Sequence, residues 1–313
     1  MNLFFYNLFK SIVLFKNQLK ESSWKLGICI NGFEDLQANV IHWIDNGVYE
    51  GKKWFADPFI LDYDEETIDL LVEEFDYKVH RGRIAHIIID RGSWTIVACR
   101  IILDLSTHLS FPAVYRIDGK VYVCPENFES GAHNLYFYNQ KEDKLEFVKT
   151  LYNDKLTDTT LTEIDGRWYM LTTSIPHPNG HTLEIMCSDQ FDGDYRKVQE
   201  VVFTERNARN AGQLFCYNGC LLRPAQFSDN VYGRAIIFQK VTVDAEGKLS
   251  FENIYRYDST HNKYNVGTHT YNEYKGMAVI DIKGYRYNTI GRLWDNIINL
   301  AVKLGIKKPY VFQ

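Results

Sequence analysis

The sequence predicts an all-β protein, a five-bladed β-propeller with short amphipathic helices at its N- and C-terminal ends. Three observations carry that expectation. Five segments share one shape: a small or polar bend, an apolar strand, a tight turn and an aromatic-rich second strand. Anchors at Asp57, Pro112, Thr160, Ala211 and Thr270 make the shape recur roughly every fifty residues, the period of a propeller blade. No helical pattern separates the strands, which excludes a parallel α/β sheet.

The first segment runs from Phe55 (FADPFILDYDEETIDLLVEEF), and the second from His108 (HLSFPAVYRIDGKVYVCPEN). LTDTTLTEIDGRWYMLTTS follows from Leu156, RNAGQLFCYNGCLLRPAQF from Arg209 and GTHTYNEYKGMAVIDIKG from Gly267. Their turns read Asp118-Gly119, Asp165-Gly166, Asn218-Gly219 and Lys275-Gly276. Asp-Gly and Asn-Gly supply the positive φ of two-residue hairpins. Strand-like runs at 84–90, 95–103, 134–139, 182–188 and 235–243 provide the outer strands. Residues 50–288 are therefore expected to form the ring, and WKLGICI (24–30) is placed to close it. The organisation reads as an amphipathic segment 1–23, a propeller 24–288 and a C-terminal helix and tail 289–313.

The composition is that of an ordinary soluble globular chain: 313 residues, 45% hydrophobic, with a formal net charge of −5. That mildly acidic balance argues against a nucleic-acid partner, which normally meets a strongly basic domain. The aromatic content of 15% suits pleated sheet faces and the stacking of rings on sugars. The six cysteines include no C-x-x-C pair, so reduced thiols and a cytoplasmic setting are expected.

The first twenty residues place apolar side chains between Lys10, Lys16 and Lys20. The run is too broken to span a membrane and lacks a signal peptide's cleavage pattern. It reads as a basic amphipathic helix that either lies on an anionic membrane surface or packs on the fold. RLWDNIINLAVKLGIKK near the C-terminus has the same character.

In a propeller the innermost strands line a channel, so residues recurring at one end of the blades converge. The blade openings offer Ala56-Asp57-Pro58, Ser110-Phe111-Pro112, Asp158-Thr159-Thr160, Asn210-Ala211-Gly212 and Thr268-His269-Thr270. Glu74, Glu126 and Gln226 follow apolar strands at matching places. Asp57 is the candidate base, and Glu126 or Glu74 the candidate acid, since paired carboxylates serve inverting glycosyl chemistry. The alternative role for Asp57 is to cap the turn before Pro58. Arg209 and Arg223 present planar forks suited to phosphate or vicinal hydroxyls, or to ion pairs between blades. His269, with Asp158 and His108, completes the candidate binding set. The histidines lack metal spacing and no phosphate-binding glycine motif is present, so neither metal nor cofactor is expected.

The Ala-Asp-Pro opening is similar to the five-bladed propellers of glycoside hydrolase family 43. A fuller resemblance is to the N-terminal propeller family of glucosamine inositolphosphorylceramide transferases and their bacterial relatives. It rests on WFADPFI…LLVEEF (54–75), HLSFP (108–112), DGKVYVCPE (118–126), RNAG (209–212), RPAQ (223–226), YG (232–233) and GTHT (267–270). It implies a carbohydrate-active protein acting on a carbohydrate or sugar-phosphate substrate. The expected function is a glycosyltransferase of surface glycan or glycolipid assembly, peripheral at the inner membrane face. A family-43-like hydrolase and a non-catalytic sugar-binding propeller are the alternatives.

Overall fold

The computed structural model describes residues 21–229 and 232–293. The chain starts with β1 (Ser22–Cys29), helix α1 (Gly32–Ala38) and β2 (His42–Trp43). Blade one follows as β3 (Lys53–Tyr63), β4 (Thr67–Asp76), β5 (Gly82–Asp90) and β6 (Thr95–Leu103). Blade two comprises β7 (Ser110–Ile117), β8 (Lys120–Glu126), β9 (His133–Asn139) and β10 (Lys144–Tyr152). Blade three is β11 (Leu156–Ile164), β12 (Arg167–Ser174), β13 (Thr182–Ser188) and β14 (Arg196–Val202). Blade four is β15 (Phe215–Tyr217), β16 (Cys220–Phe227), β17 (Ala235–Val243) and β18 (Leu249–Tyr257), and β19 (Tyr271–Tyr274) and β20 (Met277–Tyr285) complete the strands.

These strands form five four-stranded antiparallel sheets, four of them meanders of consecutive strands, so the expected five-bladed propeller is the observed fold. The fifth sheet has the order β19-β20-β1-β2. Its two outer strands come from the N-terminus, and Ser22 to Cys29 pair with Tyr285 to Ala278 without a break. Residues 50–288 alone thus do not make the ring; WKLGICI closes it, as its sequence suggested. The amphipathic segment also ends earlier than expected, because Ser22 and Ser23 already belong to β1.

The hairpin turns have the conformation their sequences demand. Asp118 and Gly119 take φ of 50° and 72°, and Asp165-Gly166, Asn218-Gly219 and Lys275-Gly276 repeat the pattern.

One helix interrupts the expectation that helices occur only at the ends. In α1, Asp35 accepts the Asn31 N–H at 2.8 Å, and Asn39 in the left-handed region closes the last turn. The buried helix face carries Phe33 and Leu36. The Phe33 ring meets Phe238 at 4.6 Å and Tyr217 at 5.0 Å, so α1 plugs the junction of blades four and five. Burial of side chains such as Phe33, Leu26 and Ile28 contributes about 1.5–3 kcal/mol each to holding the seam. The remaining parts of the terminal helices expected at 1–23 and 289–313 lie outside the described residues, apart from 21–23 and 289–293.

Candidate active site at one end of the channel

Blades one, two and three open with the same irregularity in the innermost strand. Regular pairing is skipped between Ala56 and Phe59, between Ser110 and Ala113, and between Thr157 and Thr160. Inside each bulge one residue is left-handed: Asp57 at φ 49°, Phe111 at 43° and Asp158 at 42°. Asp tolerates this region better than most residues, yet each such site costs about 1–3 kcal/mol unless its surroundings impose it. Here neighbouring blades do so. The Asp57 N–H donates to Asp281 Oδ2 at 3.0 Å, Phe111 to Asp57 Oδ2 at 3.1 Å, and Asp158 to Glu126 Oε2 at 2.7 Å. The bulges also correct the blade superposition: Asp158 is the counterpart of Asp57, not of Ala56.

Around Asp57 the site is built by blade five. Thr270 donates its hydroxyl to Asp57 Oδ1 at 2.7 Å, and His269 Nε2 lies 3.6 Å from the same oxygen. The other ring nitrogen, Nδ1, is 2.8 Å from Asp281 Oδ2. Asp281 also accepts the backbone N–H groups of His269 and Thr270. Trp24 of the closing strand β1 stacks on the imidazole, with ring centres 3.9 Å apart. Burial pushes the Asp57 carboxyl up to about 7, assisted by Glu73, Asp158 and Asp281 and opposed by His269. For His269, burial acts to lower the pKa, but the carboxylates of Asp281 and Asp57 outweigh it and hold the value above normal. The ligating atoms of Asp57, His269 and Asp281 lie within 4.8 Å of one another. A cation there would displace the hydrogen bond between His269 and Asp281.

The second half of the site is an ion-pair network. Arg209 Nε donates to Asp158 Oδ2 at 2.6 Å, and its NH2 reaches both Asp158 Oδ1 and Glu126 Oε2 at 3.1 Å. Gln226 donates to the same Asp158 carboxylate. Burial would raise the Asp158 pKa, but the charge and hydrogen bonds of Arg209 win and lower it. Glu126 moves the other way: burial, reinforced by Asp158, lifts it well above the normal range despite Arg209. Burial raises both carboxyls alike; the closer contact of Arg209 with Asp158 is what moves the two apart, Asp158 downward and Glu126 upward. Tyr232 lies over Arg209, 5.4 Å from the guanidinium, and meets the His269 ring edge-on. The Oε1 of Gln226 is buried with no hydrogen-bond partner among the described residues.

Asp57, Glu126, Asp158, Arg209, Gln226 and His269 therefore converge as the blade pattern predicts. His108 lies at the margin, its Nε2 3.1 Å from Glu73 Oε1. Two expected members are elsewhere. Glu74 turns away to Lys53 at 2.6 Å and Arg83 at 2.9 Å. Register explains this: Glu73 pairs with Ala56 as Glu126 pairs with Ser110, so Glu73 is the true counterpart and alternation sends Glu74 to the opposite face. Arg223 is fully enclosed within blade four, donating to Asn210 Oδ1 at 2.8 Å, Gln239 Oε1 at 2.6 Å and the Ala208 carbonyl. Burial drags its pKa down to about 9, and its donors brace the 207–210 segment rather than face a ligand. Thr270 stands in the predicted blade opening at 268–270 but without a predicted role, and the pattern gave no site role to Asp281, Trp24 or Tyr232.

The fold and this polar channel end define a five-bladed propeller of the architecture found in glycoside hydrolases. A family 43 β-1,3-galactosidase superposes with a TM-score of 0.51 at 8% identity, covering 65% of this chain and 76% of that one. A family 117 glycoside hydrolase from Zobellia galactanivorans gives 0.52 at 11% identity, covering 85% and 91%. At such identities the likeness is one of fold. The sequence is more specific: residues 44–283 match the family described as glucosamine inositolphosphorylceramide transferase 1, N-terminal, and the chain belongs to that family. It is 30% identical over 198 residues to glucosamine inositolphosphorylceramide transferase 1 of Arabidopsis thaliana, and 27% identical over 195 residues to that of Oryza sativa. These alignments cover 61% and 59% of this chain and 26% of each relative, so the chain spans about a quarter of their length.

Proposed function

We propose that the channel end is a glycosyl-transferring site acting on a carbohydrate or sugar-phosphate substrate. The observation that carries this reading is the division of labour among buried carboxyls. Asp57, with a pKa near 7, can take the proton of an acceptor hydroxyl at neutral pH. As the acceptor oxygen bonds the anomeric carbon, the bond to the leaving oxygen breaks and neutral Glu126 supplies that oxygen's proton. Ionised Asp158, held by Arg209, stabilises the positive charge that develops on the sugar ring. The unpartnered Gln226 Oε1 offers an acceptor to a substrate hydroxyl. The relatives' name, glucosamine inositolphosphorylceramide transferase 1, supports a sugar-bearing, phosphate-containing substrate class. A place in surface glycan or glycolipid assembly, cytoplasmic and peripheral to the membrane, belongs to the same proposal. It draws on free cysteines and on the basic amphipathic N-terminal sequence.

The test has two stages. Thermal-shift screening against nucleotide sugars, sugar phosphates and oligosaccharides identifies the ligand class. Turnover of the identified donor is then compared in the wild type and Asp57→Asn. A loss of about 10²-fold or more with the fold retained supports the base. Release of free sugar without an acceptor would favour hydrolysis, which the architecture also accommodates. Ligand binding without turnover would favour a sugar-binding propeller.

A further inference from the structure

A second concave site lies at the opposite end of the propeller. A groove of about 920 Å³ opens between blades one and two, at the hairpin turn containing Gly119 and Lys120. Strand β7 runs from the bulge at Ser110 to that turn. At about 3.3 Å per residue this puts roughly 20 Å between the groove and the Asp57 cluster. The two cannot share one small ligand.

The groove is built rather than incidental. On its floor His86 of blade one is held between two carboxylates, with Nε2 2.8 Å from Asp69 and Nδ1 2.9 Å from Asp143 of blade two. Tyr138 donates its hydroxyl to Asp143 at 2.7 Å. Burial would lower the His86 pKa, yet the two carboxylates raise it, and the ring bridges the two blades through Asp69 and Asp143. Towards the axis, Arg116 stacks on Tyr274 of blade five, its guanidinium 3.6 Å from the ring centre. One of its terminal nitrogens donates to the carbonyls of Ile60 and Leu61. Burial lowers the Arg116 pKa, against the pull of Tyr274 and of Asp62, which lines the same groove but makes its ion pair with Lys275 rather than with Arg116. A half-buried guanidinium fixed in this way, with no carboxylate in ion-pair contact among the described residues, is a prepared seat for an anion. Phe137 supplies a half-buried aromatic wall, and Lys120 and Lys141 stand on the rim.

We propose that this groove binds a sugar ring carrying an acidic group, either a carboxylate or a phosphate. The anion is received by Arg116 with Lys120, the apolar face of the ring lies on Phe137, and hydroxyls meet Asp69, Asp143 and Asn139. The mixture of donors, acceptors and one aromatic wall suits a polyhydroxylated ring, whose hydroxyls both donate and accept. The inference does not depend on chemistry at Asp57.

The experiment is an amide chemical-shift titration of the full chain with four probes: glucuronic acid, glucose 6-phosphate, glucose and inorganic phosphate. The two acidic sugars are expected to shift signals around Phe137, Asn139 and Tyr274, and to bind at least about tenfold more tightly than glucose or phosphate. Comparison of the two identifies which anion is preferred. Arg116→Lys, which keeps the charge but loses the fork, and Lys120→Glu on the exposed rim should each weaken binding about tenfold. Lys120→Glu leaves packing untouched, so it decides the matter should the Arg116 variant fold poorly. Inorganic phosphate binding as tightly as glucose 6-phosphate would overturn the sugar assignment. Shifts confined to Trp24 and Tyr232, binding unaffected by Lys120→Glu, or no saturable change would each overturn the site.

Discussion

Asp281 and Asp57 meet across the seam between the last blade and the first, the Asp57 N–H donating to Asp281 Oδ2 at 3.0 Å. The same carboxylate binds the His269 ring and the N–H groups of His269 and Thr270. One side chain thus fixes the backbone of the proposed base and the tautomer of the histidine beside it. With Nδ1–H committed to Asp281, Nε2 is the nitrogen turned towards Asp57.

Asp281→Ala should therefore strand several buried donors at once. The expected loss is about 3 kcal/mol or more in urea unfolding, because each unsatisfied buried group costs about 1–3 kcal/mol. Asp281→Asn, which keeps an acceptor oxygen, should fall between this variant and the wild type. An unchanged midpoint in Asp281→Ala would mean that the seam is held elsewhere.

Stability should fall as pH rises towards neutrality and beyond. Asp57 has a folded pKa of about 7 against an ordinary 3.8, so the folded state keeps a proton that the unfolded chain has released across that window. Folding is then progressively disfavoured between those values. His269 acts in the same direction: its raised pKa contributes stability below the ordinary 6.5, and this is lost as pH rises through the folded value. Chemical unfolding from about pH 5 to about pH 8 should show the decline, with a shallower slope in Asp57→Asn. A wild-type slope matched by the variant would show that Asp57 is not the titrating group.

Arg223→Ala should behave as a folding mutation. It removes donors from Asn210, Gln239 and the Ala208 carbonyl in a site closed to solvent. A loss of about 3 kcal/mol or more is expected, with ligand affinity unchanged per folded molecule. Loss of affinity at full stability would restore Arg223 to the binding site.

Leu26→Ala tests the closure. Leu26 is fully buried on the N-terminal strand of blade five. The expected cost is about 2–5 kcal/mol, read as a lowered denaturation midpoint for the whole propeller rather than a local fraying.

The blade count and the hairpins were legible because turn chemistry is local: a two-residue Asp-Gly or Asn-Gly hairpin needs only its own residues. Asp57, Glu126 and His269 could be placed together because equivalent blade positions share an axis. The choice between Glu73 and Glu74 depended on which residues the bulge at 57–58 leaves unpaired, a register fact with no sequence marker. Asp281 was hidden for a different reason. In MAVIDIKG it reads as the polar member of an alternating strand, and only ring closure brings it against Asp57. Arg223 looked available because a sequence does not say that its neighbours Asn210 and Gln239 already occupy it.

The composite fifth blade also governs how the chain reaches its native state. Ser22 must wait for Tyr285, at nearly the opposite end of the described chain, before it has a partner. Until then β1, which carries Leu26 and Ile28, has only the short β2 along one side, and its other edge is an open template for strand addition. Contacts of such long sequence separation slow folding, and a growing chain would present this strand until β20 has been made. Blades one to four are each built from consecutive strands and can assemble as they emerge, whereas the fifth forms only once β19 and β20 are available to β1. The late step is ring closure, and the exposed β1 is where a second molecule would compete for it.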